Sequence, residues 1–373
     1  MNMITVRKVE TKKDWKDFID LPFKLYKNDK NWVPPLKKDM LFKLDTERHP
    51  FWEHAIREVF LAEKDGQIVG RIGAVIDFNY NELWDEHMGA FGFFECINNE
   101  KVSHALFDAA YNWLKEHRAE KMRGPLSPSQ NDECAFLLEG YDSPPVMMMP
   151  YNPPYYLTLT EKYGMKKGKD LYAFFKSHTT PPSPQIQTAV DRLKHNPSIS
   201  TRHVNLKQMK EEAHIIKELY NESWQKNWGF SPMTDKEFDL MVEELAKIAD
   251  DHLVWFAYYK DDPAGVSITL PDYNPVFKKL KGTLSPISII KFLYYRRKIV
   301  GTRAIVFGFR QKYRRFGLPA LLYHETEQAG LKRGYEWCEL SWNLEDNDLI
   351  NQFDEKVGGK IYKKYRIYEM PIS

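Results

Sequence analysis

The chain has little cysteine, no long apolar run and almost no excess charge. Its three cysteines, Cys96, Cys134 and Cys338, are too few and too scattered for a disulfide framework or a zinc site. No stretch approaches the roughly 18 apolar residues of a membrane-spanning helix, and residues 1–7 lack the apolar core of a signal peptide. We therefore expect a cytoplasmic protein without a metal site.

The charges nearly cancel, since 54 Lys and Arg oppose 52 Asp and Glu, and the isoelectric point is near 8.1. Nucleic-acid binders usually concentrate a basic field, so no nucleic-acid partner is expected. A content of 43% hydrophobic and 28% charged residues is typical of globular proteins, and 373 residues exceed one comfortable core. Two folded domains are predicted.

A cationic loop between a predicted strand and a predicted helix is the strongest sign of function. The strand-like residues 303–309 lead into the run Arg310-Gln311-Lys312-Tyr313-Arg314-Arg315-Phe316-Gly317-Leu318-Pro319, and an amphipathic helix follows as far as Gly334. The N–H groups of a helix's first turn have no partner within the helix and lie at the positive end of its dipole. This arrangement favours an anionic, phosphorylated cofactor, and a merely solvated basic turn is the alternative.

The residues after this loop continue the pattern to the end of the chain. A second strand is predicted at 335–342, a short helix after Asn343 and Asn347, and a tyrosine-rich strand at 360–370. The order is strand, loop, helix, strand, helix, strand. Within it, residues 313–318, Asn347 and Glu355-Lys356-Val357-Gly358 resemble the acyl-CoA core of the GCN5-related N-acetyltransferase (GNAT) superfamily.

The family loop reads Gln or Arg, two variable residues, Gly, one variable residue, then Gly or Ala. Arg314 and Gly317 match it, whereas Pro319 departs from it and lacks an N–H to offer a phosphate. Ala320 beside it partly restores the close approach. The resemblance implies acyl-CoA as co-substrate, without a metal. The implied cofactor contacts are Phe307, Gly308 and Phe309 along the pantetheine, Arg310, Lys312, Arg314, Arg315, Phe316, Gly317, Leu318 and Ala320 around the pyrophosphate, and Asn343 or Asn347 at the amides.

The catalytic acid departs from the family as well. Where the family often has a tyrosine that protonates the leaving thiolate, this chain has Asp354. An ordinary aspartate is ionised at neutral pH and donates a proton only if burial raises its pKa well above about 4. The rival acids are Tyr362, Tyr365 and Tyr368, and the amine's proton has the candidate acceptors Glu339, Glu345 and Asp354. The sequence does not choose among them.

Two pairs of segments recur in the chain about half a chain length apart. Val59-Phe60-Leu61-Ala62 to Gly70 matches Val254-Trp255-Phe256-Ala257 to Gly265, and Glu161-Lys162-Tyr163-Gly164 matches Glu355-Lys356-Val357-Gly358. The predicted fold class is therefore α/β, with two tandem GNAT-like domains, each a central twisted mixed β-sheet flanked by helices. We assign residues 1–178 to the first domain, the proline-rich residues 179–185 to a linker and residues 186–373 to the second domain. In the first copy, residues 98–103 contain no glycine, so its phosphate loop is expected to be lost.

Two segments have no counterpart in the other copy. Residues 127–156 are rich in Met, Tyr and Asn, and this long segment is expected either to bind the acceptor or to seal the interface between the halves. Its candidate substrate contacts are Asn131, Met148, Tyr151, Asn152, Tyr155 and Tyr156. Residues 285–298 join apolar residues to a basic cluster, and either contact a membrane or an acyl chain or dock on their own domain.

The predicted function is transfer of an acyl group from CoA to a primary amine. The tandem plan and the apolar basic insertion also resemble ceramide-synthase-like acyltransferases, which implies a lipid or long-chain amine as acceptor. The alternative is a tandem GNAT protein that binds a ligand and has lost the chemistry, because the first loop is eroded and Asp354 replaces the tyrosine.

Overall fold

The computed structural model describes residues 4–373, apart from the side chain of Arg315. The strands are β1 (Ile4–Lys8), β2 (Ala55–Lys64), β3 (Gln67–Asp77), β4 (Met88–Cys96), β5 (Lys121–Gly124), β6 (Leu126–Ser127), β7 (Glu133–Cys134), β8 (Phe136–Glu139), β9 (Lys166–Ser177), β10 (Ile199–His203), β11 (Val254–Tyr259), β12 (Asp262–Pro271), β13 (Gly301–Phe309), β14 (Trp337–Leu344) and β15 (Lys360–Pro371). The helices are α1 (Lys12–Leu25), α2 (Lys37–Lys43), α3 (Phe78–Trp84), α4 (Glu100–Glu116), α5 (Tyr155–Lys162), α6 (Pro184–Lys194), α7 (Met209–Trp224), α8 (Asp235–Ala246), α9 (Asn274–Leu280), α10 (Pro286–Tyr295), α11 (Leu318–Lys332) and α12 (Asp348–Lys356).

The chain forms two compact units whose segments interleave. Unit 1 comprises Met1–Leu171, described from Ile4, with Asn274–Tyr294 and Lys363–Ser373, and unit 2 comprises Tyr172–Tyr273 and Tyr295–Tyr362. The predicted linker at 179–185 stays a prediction, because the bounds of the two compact units do not test where one repeat ends and the next begins. Helix α6 already starts at Pro184, since proline is well accommodated in a helix's first turn.

In unit 1, strands β1 to β5 lie side by side in chain order, and the end of β15 pairs with β5. Neighbouring strands are antiparallel except β4 and β5, which are parallel over Met88–Ala90 only. Helix α4 buries its apolar face against this sheet around Phe91, Phe107 and Tyr156. The helix has this face because its apolar residues recur at the spacing of one helical side.

Unit 2 repeats the plan with strands β10 to β14 in chain order, again antiparallel except for the last pair, β13 and β14. Helix α11 packs Leu318 and Leu322 against Ala257 and Phe309 of the sheet. The phosphate-loop candidate lies between β13 and α11, as the sequence predicts.

The local details of the two copies agree. Ala62 pairs with Gly70 in the β2–β3 hairpin, Ala257 pairs with Gly265 in the β11–β12 hairpin, and a register shift follows each pair on the same side. Helices α5 and α12 are each followed by a glycine with positive φ, Gly164 at 103° and Gly358 at 95°. The predicted α/β fold with one plan repeated in two halves is confirmed.

Two segments without a counterpart in the other copy have the following local structure. Residues 127–156 are less irregular than expected, because they contain the short strands β6, β7 and β8 and reach the start of α5. The insertion at 285–298 forms α10 and a following turn of 3-10 helix.

Candidate active site

The two parallel strands of unit 2 separate halfway along their length. Strand β13 pairs with β14 from Gly301 to Ala304, and both strands continue beyond that point without pairing to each other in the part of the chain that the structure describes. On the other side, β12 follows β13 as far as Phe309. The separation therefore leaves backbone on the β14 side of residues 305–309 that an extended ligand can pair with.

The helix beginnings after the matching strands differ between the copies. In unit 1 the side chain of Asn99 caps α4 by accepting from the N–H of Val102 at 3.2 Å, and Glu100 lies in the first turn. In unit 2 the N-terminal position of α11 is Gly317, with φ 85° and no side-chain cap. The first copy thus satisfies its own helix terminus, whereas the second leaves space for an anion.

The cations at the start of the loop are already paired. Arg310 lies 3.1 Å from Glu218, 3.6 Å from Glu222 and 3.3 Å from Asp262, and the Lys312 ammonium lies 2.6 Å from Asp262. The hydrogen bond from Lys312 is the main reason why the pKa of Asp262 lies below its usual range. A phosphate at these two cations would compete with carboxylates that are distant in sequence and that sequence reasoning missed.

The cations nearer the helix are more accessible. Arg314 is exposed, and its guanidinium donates to the carbonyl oxygens of Phe309 and Ser223, both at 3.2 Å. A further cation, the exposed Arg192 at the end of α6, reaches within 3.5 Å of the position that a Cβ on Gly317 would occupy. Sequence reasoning missed Arg192, whose only signal was a basic last turn in a helix far from the loop. The predicted contact of Arg315 falls on a side chain outside the described residues.

Asp354 has the raised pKa that a proton donor at its position needs. It is 4% exposed on α12, and its carboxylate accepts a hydrogen bond of 2.7 Å from the side-chain amide of Asn343. Burial raises the pKa of Asp354 to about 7, although the Asn343 bond opposes this shift. The side chain can therefore hold or release a proton near neutral pH. Asn343, predicted to bind the cofactor, donates to Asp354 in this structure, and its cofactor contact stays a prediction.

Glu339 and Tyr362 form a separate buried cluster. Glu339 is fully buried and accepts hydrogen bonds from Tyr362 and from Ser341, the latter at 2.5 Å. Arg303 donates to Ser341 at 2.9 Å and lies 3.9 Å from Glu339. These contacts connect β13, β14 and β15, so both residues have a clear role in holding strands together.

The remaining predicted residues of this region lie in several environments. The Phe307 ring stacks on Phe353 of α12 at 5.4 Å between centroids, so an aromatic pair lines the separation of the strands. Asn347 immediately precedes α12 without a side-chain cap. Glu345 lies in the turn after β14, and its backbone oxygen accepts from Asn351 at 3.3 Å.

The two other tyrosine candidates lie in the unit 1 part of β15. Tyr365 is fully buried, and the Tyr368 hydroxyl donates to Glu161 at 2.9 Å. Neither residue belongs to unit 2, which carries the cationic loop and Asp354.

Three of the predicted substrate residues line a cleft in unit 1, namely Tyr151, Asn152 and Tyr156. The cleft contains about 570 Å³ of empty space, including the part open to solvent. The other three do not line it: Asn131 and Tyr155 are half-buried, and Met148 is exposed. The cleft also contains charged residues that no sequence pattern singled out, namely Lys43, Arg71, Glu95 and Glu133.

Helix α10 carries an exposed apolar surface. The residues concerned are Ile287, Ile289, Ile290, Leu293 and Tyr294, together with Leu284 just before the helix, and their exposed fractions run from 47% to 68%. In sequence, Arg296, Arg297 and Lys298 follow directly, and residues 281–300 contain no acidic residue. Within residues 4–373, no helix has the length and apolarity needed to cross a membrane.

One group of side chains has the spacing of metal ligands. Asp250, Asp251 and His252 place three potential ligand atoms within 4.8 Å of one another. Arg333 already binds both carboxylate oxygens of Asp250 at 2.7 and 2.8 Å, and His252 lies 2.7 Å from Asp251. The predicted absence of a metal stays a prediction.

Solved structures define the class of this fold. A tandem GNAT protein from the clavulanic acid biosynthesis pathway superposes with a TM-score of 0.59 at 12% identity, covering 100% of this chain and 99% of its own. A GCN5-related N-acetyltransferase from Sphaerobacter thermophilus gives a TM-score of 0.56 at 13% identity, covering 99% and 96% of the two chains. The protein has the tandem GNAT fold.

Sequence relatives narrow this class to a family, although no protein-family model matches the chain. Protein YghO of Escherichia coli (strain K12) is 36% identical over 383 residues, covering 100% of this chain and 97% of its own. The bacterial ceramide synthase of Caulobacter vibrioides (strain NA1000 / CB15N) is 33% identical over 376 residues, covering 98% and 97%. The chain belongs to the family of these two proteins, and the family and fold together support an acyltransferase.

Proposed function

We propose that this protein transfers an acyl group from a CoA thioester to a primary amine. The observation that carries this proposal is the separation of β13 from β14 directly before a cationic loop and an uncapped helix N-terminus. An extended pantetheine fits along residues 305–309, and the pyrophosphate fits at Gly317, where Arg314 and Arg192 supply positive charge. Arg310 and Lys312 contribute only if a phosphate replaces their carboxylate partners.

The reaction needs a proton to leave the amine and another to reach the departing sulfur. The neutral amine attacks the thioester carbonyl, the carbon–sulfur bond breaks, and the thiolate takes a proton. Asp354 is our candidate for this proton transfer, because a group with a pKa of about 7 is populated in both forms at neutral pH. Glu339 and Tyr362 bind each other, so we assign them a supporting role, and Glu345 remains a second candidate base.

The acceptor that we propose is a lipid or long-chain amine. The name of the Caulobacter relative, a ceramide synthase, points to lipid chemistry. The apolar surface of α10, followed by three cations in the chain, has the chemistry of a segment that contacts an anionic membrane surface. We therefore propose peripheral membrane contact through residues 285–298.

The first test is binding of CoA, acetyl-CoA and palmitoyl-CoA to the full chain, followed by thermal unfolding. A ligand that binds only the folded state raises the unfolding midpoint. Arg314→Ala should weaken CoA binding roughly 10-fold, the worth of one charge-assisted hydrogen bond. Arg333→Ala, an arginine of the same unit that pairs with Asp250 away from the loop, is the matched control and should bind normally. Unchanged binding by the Arg314 variant would refute the loop assignment.

The second candidate is a protein that binds a ligand without catalysis. Two observations favour it: carboxylates already pair with Arg310 and Lys312, and Pro319 lies at the start of the helix. Release of free thiol from palmitoyl-CoA in the presence of an amine such as sphinganine separates the two candidates. Thiol release that requires the amine supports the enzyme, whereas CoA binding without any release supports the binding protein.

A further inference from the structure

The cleft of unit 1 lies where β4 and β5 separate, the place equivalent to the proposed thioester site of unit 2. Strand β4 pairs with β5 only as far as Ala90, and the next part of β4, Phe93 to Glu95, lines the cleft. Because α4 is capped by Asn99, this copy offers no phosphate site at its helix. The cleft therefore has room for a ligand but lacks the uncapped helix N-terminus that would bind the phosphates of CoA.

Most charged groups of the cleft have partners. Arg71 is buried, donates to the Phe18 carbonyl at 2.6 Å and lies 3.8 Å from Glu95. Glu95 also accepts from the Tyr156 hydroxyl at 2.7 Å. Lys43 is 2.8 Å from Asp132, so the second cation of the cleft is paired as well.

Glu133 is different. Its side chain has no hydrogen bond or ion pair among the residues that the structure describes, although it lines the same cleft. Its side chain is exposed. The surrounding protein nevertheless raises the pKa of Glu133 by desolvation, and Lys43 opposes this shift. A cationic ligand would give this carboxylate a charge-assisted hydrogen-bond partner.

Two further buried polar atoms belong to residues that line the same cleft. Among the described residues, the Tyr26 hydroxyl makes no well-aligned hydrogen bond, although it lies beside Glu95, and the Arg71 Nε has no hydrogen-bond partner. Tyr26 is 3% exposed and Arg71 is 4% exposed. Buried polar groups of native proteins are usually satisfied by protein or water, so these two atoms are available to water or to a polar ligand in the cleft.

Aromatic side chains line the cleft as well. Phe94 lies 6.0 Å from Phe136 and 5.0 Å from Tyr156 between ring centroids, and Phe93 and Met40 extend the apolar surface. Aromatic faces attract ammonium groups and also pack against aliphatic carbon. We propose that the cleft binds a protonated primary amine, with its ammonium group on Glu133 and its apolar part against Phe93, Phe94 and Phe136.

This binding does not rest on acyl transfer in unit 2, although an apolar amine is also the class of acceptor that the proposed reaction needs. The two ideas are separable, because amine binding is measured without CoA and CoA binding without amine. An anionic ligand fits the cleft less well, since both cations have protein partners and the unpaired group is a carboxylate.

The test is calorimetric titration of the full chain with octylamine, octan-1-ol and octanoate, which share one alkyl chain and differ in charge. We expect octylamine to bind roughly 10-fold more tightly than octan-1-ol, as one charge-assisted hydrogen bond allows. Glu133→Gln should remove this preference, and Glu82→Gln, an exposed glutamate outside the cleft, should keep it.

Glu133→Asp serves as a second variant, because it keeps the negative charge and should keep the preference for the amine even if glutamine disturbs folding. Equal affinity for octylamine and octan-1-ol in the wild type would overturn the proposal. Tighter binding of octanoate than of octylamine would overturn it too, because it would make the cleft an anion site.

Discussion

Replacing Asp354 by asparagine should make the protein more stable and a poorer catalyst at the same time. Burial raises the pKa of this carboxyl from 3.8 to about 7. The folded state therefore binds the proton more tightly than the unfolded chain does. Between these two pKa values the unfolded state carries fewer protons, so the free energy of unfolding falls as pH rises. The destabilisation is absent below about pH 4 and complete above about pH 7.

A shift of this size corresponds to about 4 kcal/mol above pH 7, at 1.36 kcal/mol for each pKa unit. Asparagine has no charge to bury and can still bond to Asn343, so Asp354→Asn should recover part of this free energy. The advantage of the variant should grow by roughly 2 to 3 kcal/mol between pH 5 and pH 8. If Asp354 transfers the proton, the same variant should lose roughly 100-fold or more in acyl-transfer rate.

The assay is urea unfolding of both proteins at pH 5, 6, 7 and 8, with the difference in unfolding free energy plotted against pH. Glu355→Gln is the matched control, because it removes a carboxyl at the next position of α12, where the side chain is exposed. Its difference curve should be nearly flat. A flat curve for Asp354→Asn would refute the reasoning, because it would mean that the carboxyl does not bind its proton more tightly in the folded state.

Two further predictions concern the loop and the apolar helix. Gly317→Ala should lower the free energy of unfolding by about 1 kcal/mol, because φ is 85° there, and it should also weaken CoA binding. Gly334→Ala is the control, because φ is 84° there. It should cost a similar free energy in urea unfolding and leave CoA binding, measured by titration, unchanged. Ile290→Glu should reduce co-sedimentation with phosphatidylglycerol vesicles roughly 10-fold, because it places a charge where 68% of an apolar side chain is exposed. The comparable change Leu83→Glu, on α3, should not reduce co-sedimentation. An equal loss of co-sedimentation in both variants would contradict membrane contact through α10.

The strand, loop and helix around Gly317 were predictable because their signals are local. A strand-like run, a glycine at the turn and a helical apolar spacing lie within a few residues of one another, and β13 and α11 begin and end close to the predicted positions. The repeat was predictable for a similar reason, since Gly70 and Gly265 mark the same place in two hairpins.

The electrostatics of the site were not predictable from the sequence. The partners of Arg310 come from α7 and β12, which lie about 90 and 50 positions earlier in the chain, so nothing near the loop showed that its first arginine is neutralised. The sequence predicted Asp354 as a proton donor only on the condition that the side chain is buried, and no sequence pattern showed whether it is. The unpaired state of Glu133 depends on where Lys43 and Arg71 lie, and no pattern within the segment 127–156 contains that information.

The interleaving of the two units has a consequence for biosynthesis. Strand β15 pairs with β5 through Tyr368 and Gly124, and this part of the strand is synthesised after every segment of unit 2. Unit 1 therefore lacks one of its strands until all of unit 2 has been synthesised, although most of its own residues come earlier. A fragment ending at residue 178 would expose the edge of β5 that β15 normally covers. We expect unit 1 to finish folding only after unit 2 has been synthesised, when residues 363–373 pair with β5.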